Sequence, residues 1–280
     1  MRLLSGKELA ASIREATTTL AAGLSAEGTP PRLAVVTATA DESSAWYVRS
    51  IANAASKIGI ECGVIDLGPD ADRDDIIDAL TAQSADRAVH GVMLQTPLPG
   101  GAQLADLASA IDPAKDIDGA NPASLGRLVA GLTAFAPATA AAVMALLAHH
   151  DVQLSGRHAV VVGRSVVVGK PVAQLLLAEN ATVTVCHSRT PDLGAITRQA
   201  DVLVVAAGRR GLIGAEQVSP GTTVIDVGTN ATTDGGLAGD VSPDVADIEG
   251  VALTPVPGGV GPVTTALLLR HVVTAASSAT

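Results

Sequence analysis

Aromatic side chains are almost missing from this chain of 280 residues, which has one Trp, one Tyr and one Phe. Their scarcity makes their positions informative, and two of the three are the neighbours Trp46 and Tyr47. Clusters of Lys and Arg are lacking as well. With a formal net charge of -10 there is no footprint for nucleic acid or for an anionic membrane surface, although a small anionic ligand needs only a local patch. Cysteine is scarce, and Cys62 and Cys186 are far apart with no metal-ligand spacing. No metal site is expected, and both thiols read as buried apolar groups of a reducing compartment. No uninterrupted apolar run is long enough to suggest a span. Residues 128–148 contain Gly131 and Pro137, and residues 251–269 contain Pro255, Pro257 and Pro262. Charge at Arg2, Lys7 and Glu8 interrupts the start before a signal core could form, so a soluble, cytoplasmic protein is expected.

What remains is an apolar chain, 48% hydrophobic against 16% charged, with enough for one large core or two ordinary ones. From Pro31 the pattern alternates. A β-branched run at 33–37 is followed by Asp41 as N-cap of a helix over 42–57, which Gly59 ends. A strand over 60–67, a helix over 73–85 and a strand over 91–94 come next. A helix over 138–150 bridges to a second alternation, with strands at 159–162, 182–186, 202–206, 223–227 and 251–253. A last helix, from about Val263, is expected to return to the first domain. The alternation predicts an α/β protein of two domains, each with a parallel sheet covered by helices. No internal repeat or low-complexity linker interrupts it. The strand-end loops 95–101 and 113–119 have a raised chance of carrying function in such a sheet. Within them Asp116, taken alone, reads as a turn former.

The stretch Gly163-Arg164-Ser165-Val166-Val167-Val168-Gly169-Lys170-Pro171 follows the apolar run 158–162 directly. A glycine turn from a strand into a helix presents backbone N–H groups and the positive end of the helix dipole to an anion. Pro171, in the first helical turn, loses no needed hydrogen bond. The usual G-x-G-x-x-G is absent, because Ser165 and Val168 stand where its second and third glycines would be. The next strand ends in Cys186-His187-Ser188-Arg189 instead of the acid that commonly holds an adenosine ribose. A hydroxyl and a guanidinium suit a 2′-phosphate, so Ser188 and Arg189, helped by Arg164, point to NADP over NAD.

Taken together, the segments GRSVVVGKPVAQLLL, ATVTVCHSRT, ADVLVVAAG, VIDVG, GDV and TPVPGGVGPVTTALLL, with QTPLP and KDIDG, resemble the bifunctional methylenetetrahydrofolate dehydrogenase/methenyltetrahydrofolate cyclohydrolase (FolD) family over essentially the whole chain. The resemblance implies a homodimer of two-domain subunits, with a three-layer α/β catalytic domain formed by 1–137 plus 264–280 and a Rossmann-like NADP-binding domain formed by 138–263. It implies oxidation of 5,10-methylenetetrahydrofolate with NADP, then hydrolysis of the methenyl cation to 10-formyltetrahydrofolate. It assigns catalytic roles to Tyr47, Gln95 and Asp118. Cofactor contacts fall to Gly163, Arg164, Ser165, Gly169, Ser188, Arg189, Gly228 and Thr229. The tetrahydrofolate substrate falls to Tyr47, Gln95, Pro97, Leu98, Asp118, Pro257, Gly258, Gly259 and Thr264.

One departure bears on the chemistry. The family pattern on the first long helix is Tyr-x-x-x-Lys, the lysine one turn on from the tyrosine. This chain has Ile51 in that place. Lys57 lies nearly three turns away, and Arg49 faces about 200° round the helix from Tyr47. Tyr47, Ile51, Ala54 and Ile58 also fit the spacing of a buried stripe. Two further changes, Thr96 in the Q-x-P-L-P loop and Ala138 in the family's P-C-T-P, touch the same side. Isoleucine offers neither donor nor charge, so the dehydrogenase step is expected to survive and the cyclohydrolase step to be weak or lost. Competing readings are a related oxidoreductase acting on another cyclic iminium and a non-catalytic folate- or NADP-binding protein.

Overall fold

The computed structural model describes residues 1–233 and 235–279; residue 280, the end of the expected 264–280 segment, lies outside them. In chain order the elements are β1 (Arg2–Leu3), α1 (Lys7–Ala26), β2 (Arg32–Thr37), α2 (Glu42–Lys57), β3 (Glu61–Asp66), α3 (Arg73–Ala85), β4 (Gly91–Leu94), α4 (Leu104–Ala108) and α5 (Pro122–Val129). There follow α6 (Ala138–His149), β5 (His158–Val162), α7 (Gly169–Ala178), β6 (Thr182–Cys186), α8 (Leu193–Thr197), β7 (Val202–Val205), β8 (Thr223–Asp226), the short pair β9 (Asn230–Ala231) and β10 (Leu237–Ala238), β11 (Ala252–Leu253) and α9 (Val260–Ala279).

The chain divides into two compact units, Ala11–Ala138 with Thr265–Thr280, and Met1–Ala10 with Thr139–Thr264. The first contains a parallel sheet of order β3-β2-β4. Strand β2 shows why it has three layers. Leu33 and Val35 pack with residues of α1, α2 and α9, whereas Ala34 and Val36 pack with α3 and α4, the two-residue period of a strand buried on both faces. Helix α2 starts where the sequence places its cap, Asp41 accepting from the Ser44 amide at 2.8 Å. A reciprocal capping box of Asp72 and Asp75 opens α3.

The second unit contains a six-stranded sheet of order β1-β11-β8-β7-β5-β6, parallel throughout. Its inner strands β5 and β7 are near-continuous Val and Leu, as strands covered on both faces require. Here the structure differs from the sequence expectation. Residues 1–10 join this unit instead of the 1–137 segment, because Arg2–Leu3 adds a sixth strand beside β11. The Arg2 amide donates to Val251 O at 2.8 Å and the Leu4 amide to Leu253 O at 2.9 Å. Such a two-residue strand pairs with a partner some 250 positions away and carries no local signal. No helix among the described residues is long and apolar enough to cross a membrane.

Candidate functional site

In the six-stranded unit the candidate cofactor residues gather at the carboxyl ends of β5, β6 and β7. A cavity of about 370 Å³ there is lined by Val162, Gly163, Arg164, Ser165, His187, Ser188, Thr190, Leu193, Ala206, Ala207, Arg209 and Leu212. Local sequence explains its shape. Gly163 has φ +130°, and a Cβ on it would lie 2.2 Å from the Ala206 carbonyl oxygen, so the turn leaves β5 through a space that admits backbone alone. The Ser165 hydroxyl then turns back to accept from the Val168 and Gly169 amides at 3.2 and 3.4 Å, while the Lys170 amide donates to Ser165 O at 3.0 Å. The first-turn donors that the sequence suggested for an anion are therefore partly occupied by the turn itself.

The lining suits a phosphorylated nucleotide. It contains two guanidinium groups, the hydroxyls of Ser165, Ser188 and Thr190, and no carboxylate. Arg189 is exposed and does not line the cavity, and its amide donates to His187 Nδ1 at 3.2 Å. Arg209, which sequence reasoning did not single out, lines it from the loop after β7. The available signal was its place one residue past a strand-end glycine. Gly228 is packed so closely that a Cβ would meet Asp240 at 2.4 Å, and its amide donates to Asp226 Oδ1 at 2.9 Å, whereas Thr229 is exposed.

The Pro257-Gly258-Gly259 loop also belongs to this unit. Gly258 O accepts from the Gly6 amide at 2.9 Å, and a Cβ on Gly6 would lie 2.1 Å from Gly259 O. The loop is thus held by the N-terminal segment that β1 brings in. Thr264, in the first turns of α9, donates its hydroxyl to Val260 O at 3.1 Å.

In the three-stranded unit Tyr47, Gln95 and Asp118 come from α2, the end of β4 and the turn between α4 and α5. Gln95 is buried and its Nε2 donates to Thr96 O at 2.6 Å, and the same carbonyl accepts from Ser44 Oγ at 3.2 Å. The loop carrying Pro97 and Leu98 is thereby tied to α2 one turn before Tyr47. Asp116 is fully buried and serves the turn, accepting at Oδ1 from the Ala120 amide and at Oδ2 from the Asn121 amide, each at 2.9 Å. Glycine is required at 119, where φ is +65° and a Cβ would meet Pro137 N at 2.5 Å.

Asp118 differs from Asp116 in kind. It is half-buried, and its carboxyl is pushed up to about 7 by burial, with the Asp116 charge adding to the push. Burial likewise lifts the Tyr47 phenol to about 12, with Asp118 as the second cause, so the two side chains lie within electrostatic reach. At neutral pH the corner therefore holds a protonated phenol beside a carboxyl near its midpoint. Such a pair can donate to and accept from a heterocycle and can move one proton. Ile51, one turn along α2, has no exposed surface and belongs to the apolar cluster of Val48, Ala55, Ile58, Leu33 and Val35, against which Tyr47 packs. No group of three or more His, Cys, Asp or Glu residues placed to hold a metal ion occurs among the described residues.

These features agree with what the chain is similar to. Residues 4–118 match the model of the tetrahydrofolate dehydrogenase/cyclohydrolase catalytic domain, and residues 137–280 match that of the NAD(P)-binding domain of the same family. The bifunctional protein FolD 1 of Saccharopolyspora erythraea is 63% identical over 99% of this chain and 94% of its own length. The bifunctional protein FolD of Nocardia farcinica is 58% identical over 98% and 96%. Among solved structures, the bifunctional FolD methylenetetrahydrofolate dehydrogenase/cyclohydrolase of Campylobacter jejuni superposes with a TM-score of 0.95 at 38% identity, covering 99% of both chains. The Trypanosoma brucei enzyme, solved with NADP cofactor and an inhibitor, gives 0.92 at 36% identity over 99% and 97%. The chain is a member of the tetrahydrofolate dehydrogenase/cyclohydrolase family.

Proposed function

We propose that this enzyme oxidises 5,10-methylenetetrahydrofolate to the 5,10-methenyl cation with NADP, and that its cyclohydrolase step is weak or lost. NADP supplies the acceptor for the two electrons and one hydrogen that leave the methylene carbon. The chain's own part in that step is positioning, which Gln95, Asp118 and the Pro97-Leu98 and Pro257-Gly259 loops, with Thr264, are suited to provide. Asp118 binds the pterin, and Tyr47 is the catalytic-site tyrosine. Gly163, Arg164, Ser165, Gly169, Ser188, Gly228 and Thr229 border the cofactor. The three-stranded unit is the folate-binding one, and the six-stranded unit binds the cofactor. The protein acts in the cytoplasm as a homodimer.

Hydrolysis of the methenyl cation makes a different demand, because water must be activated and a proton moved. The observation that carries the proposal is Ile51, wholly buried among apolar side chains where the family pattern has an ammonium. The Tyr47 phenol, raised to about 12, stays protonated at neutral pH and cannot replace a base. NADPH formation from methylenetetrahydrofolate, and decay of methenyltetrahydrofolate against its spontaneous rate, test the two halves separately. The expected result is NADP-dependent turnover with hydrolysis close to the spontaneous rate. Rapid hydrolysis by the unaltered protein would overturn the second half alone.

A further inference from the structure

The loop that follows β7 is fastened at its near end by a buried carboxylate and at its far end by two backbone carbonyls. Asp240 has no exposed surface, and its Oδ2 accepts from the amides of Ala207 and Gly208 at 2.7 and 2.8 Å. Its Oδ1 accepts from Asn230 Nδ2 at 2.9 Å. On the far side of the loop the Gly211 amide donates to Gly239 O at 3.2 Å and the Ile213 amide to Asp240 O at 3.1 Å. Asp240 is itself held by a second buried carboxylate, since Asp226 accepts from the amides of Asp240 and Val241 at 2.9 and 3.0 Å. A carboxylate buried with three donors on it is a stiff anchor, because moving the loop would take away two of the three.

What this anchor presents is Arg209. The residue stands between Gly208 and Arg210, on the wall of the cavity that also contains Arg164, Ser188 and Thr190. Neither Arg164 nor Arg209 is paired with a carboxylate among the described residues. The preceding carbonyl, Ala206 O, packs against Gly163, so the same segment forms one side of the glycine turn. Arg189, by contrast, stays outside the cavity.

We propose that Arg209 is a specificity-determining residue for the cofactor's 2′-phosphate, acting with Arg164 and Ser188, and that Asp240 is its positioning residue. This rests on the reading of the cofactor as NADP. A planar guanidinium carried on a fixed loop loses little freedom on meeting a phosphate, and it has nothing to gain from the bare ribose of NAD.

The test is calorimetric binding of NADP and of NAD to the whole protein, with melting temperature measured alongside. Arg209→Ala is expected to weaken NADP about 10- to 100-fold, the size of one charged hydrogen-bonded contact, and NAD by less than about 2-fold. Arg209→Lys is expected to recover part of the NADP preference. Asp240→Asn is expected to reproduce the NADP-selective loss, and the double variant to bind NADP no more weakly than the weaker single variant. Should Asp240→Asn fail to fold, Asn230→Ala removes one of its three donors and is expected to give a smaller loss of the same selectivity. Equal losses for both cofactors in Arg209→Ala, or a selective loss in Arg189→Ala with none in Arg209→Ala, would overturn the assignment. An unaltered protein that binds NAD as tightly as NADP would instead remove the NADP reading beneath it.

Discussion

The cofactor cavity and the Tyr47–Asp118 corner are built on opposite principles. Around the cavity the decisive parts hold backbone in place: a glycine turn with room for no Cβ, a hydroxyl that accepts from the Val168 and Gly169 amides, and a loop fastened by buried Asp240. The corner depends on the chemistry of a few side chains, and Ile51 beside it has no polar atom in its side chain. A backbone site is broken by adding atoms, whereas a side-chain site is changed by exchanging one functional group. The first kind shapes the space in which the charged side chains Arg164 and Arg209 are presented, and the second presents its chemistry directly.

The largest effect should come from adding atoms to the cavity. In Gly163→Ala the new methyl would have to lie 2.2 Å from Ala206 O at a φ of +130°. Strain alone costs about 1–3 kcal/mol, and the displaced peptide leads directly to the loop bearing Arg209. NADP affinity is expected to fall more than about 100-fold, the weakening that about 2.7 kcal/mol brings. Titration of NADP into the variant, with a thermal melt to follow folding, checks this. Binding at the unaltered affinity would break the view that this half of the molecule is made of backbone.

An exchange of one functional group should come next. Ile51→Lys places an ammonium one turn from Tyr47 and is expected to raise methenyltetrahydrofolate hydrolysis about 100-fold, the lower range of acid–base assistance. Melting temperature should drop, because the position is fully buried. Ile51→Met, of similar volume and without charge, should bring no such rise. If the folded lysine variant hydrolyses no faster while NADPH formation persists, position 51 is not what separates the two reactions.

Much of this contrast could be read from the sequence, and for physical reasons. Strands and helices from 32 to 94 fall within a residue or two of their expected places because each is punctuated locally: Asp41 caps α2, Gly59 follows it, and Asp72 opens α3. Ile51 was visible as a departure because Tyr-x-x-x-Lys is a pattern within one helix. Nothing local could reveal β1, which exists only through its pairing with β11. Arg209 was hidden for the same reason. Its place on the cavity wall follows from β7 lying next to β5 in the sheet, whereas Arg189, adjacent to Ser188 in sequence, stays outside. Ser165 shows a third limit, since a hydroxyl that seems free for a ligand is already accepting from two amides.

Within the corner, the two acids Asp116 and Asp118 allow a finer cut. Asp116 uses both oxygens on backbone amides, and Asp116→Asn would turn an NH₂ group toward either Ala120 N or Asn121 N. Unfolding by denaturant should show a loss of about 1–3 kcal/mol, the cost of leaving a buried donor unmet. Stability unchanged by this substitution would mean that the turn does not depend on the carboxylate.

Asp118 should respond in the other direction, and with pH. Its folded value of about 7 lies above the ordinary 3.8, so between those limits the folded state binds more protons than the unfolded one. The contribution of this group to stability is therefore full below about pH 4, is lost as pH rises toward 7, and stays at its minimum above that. Asp118→Asn removes the titration. The variant should gain on the unaltered protein as pH rises, with a higher melting temperature at pH 8 and almost no difference at pH 4. Weaker binding of methylenetetrahydrofolate should accompany the gain, because the amide keeps one acceptor oxygen where the carboxylate has two and carries no charge. A pH-independent difference between the two proteins would show that Asp118 titrates normally, and the corner would then hold an ordinary carboxylate instead of one poised near neutrality.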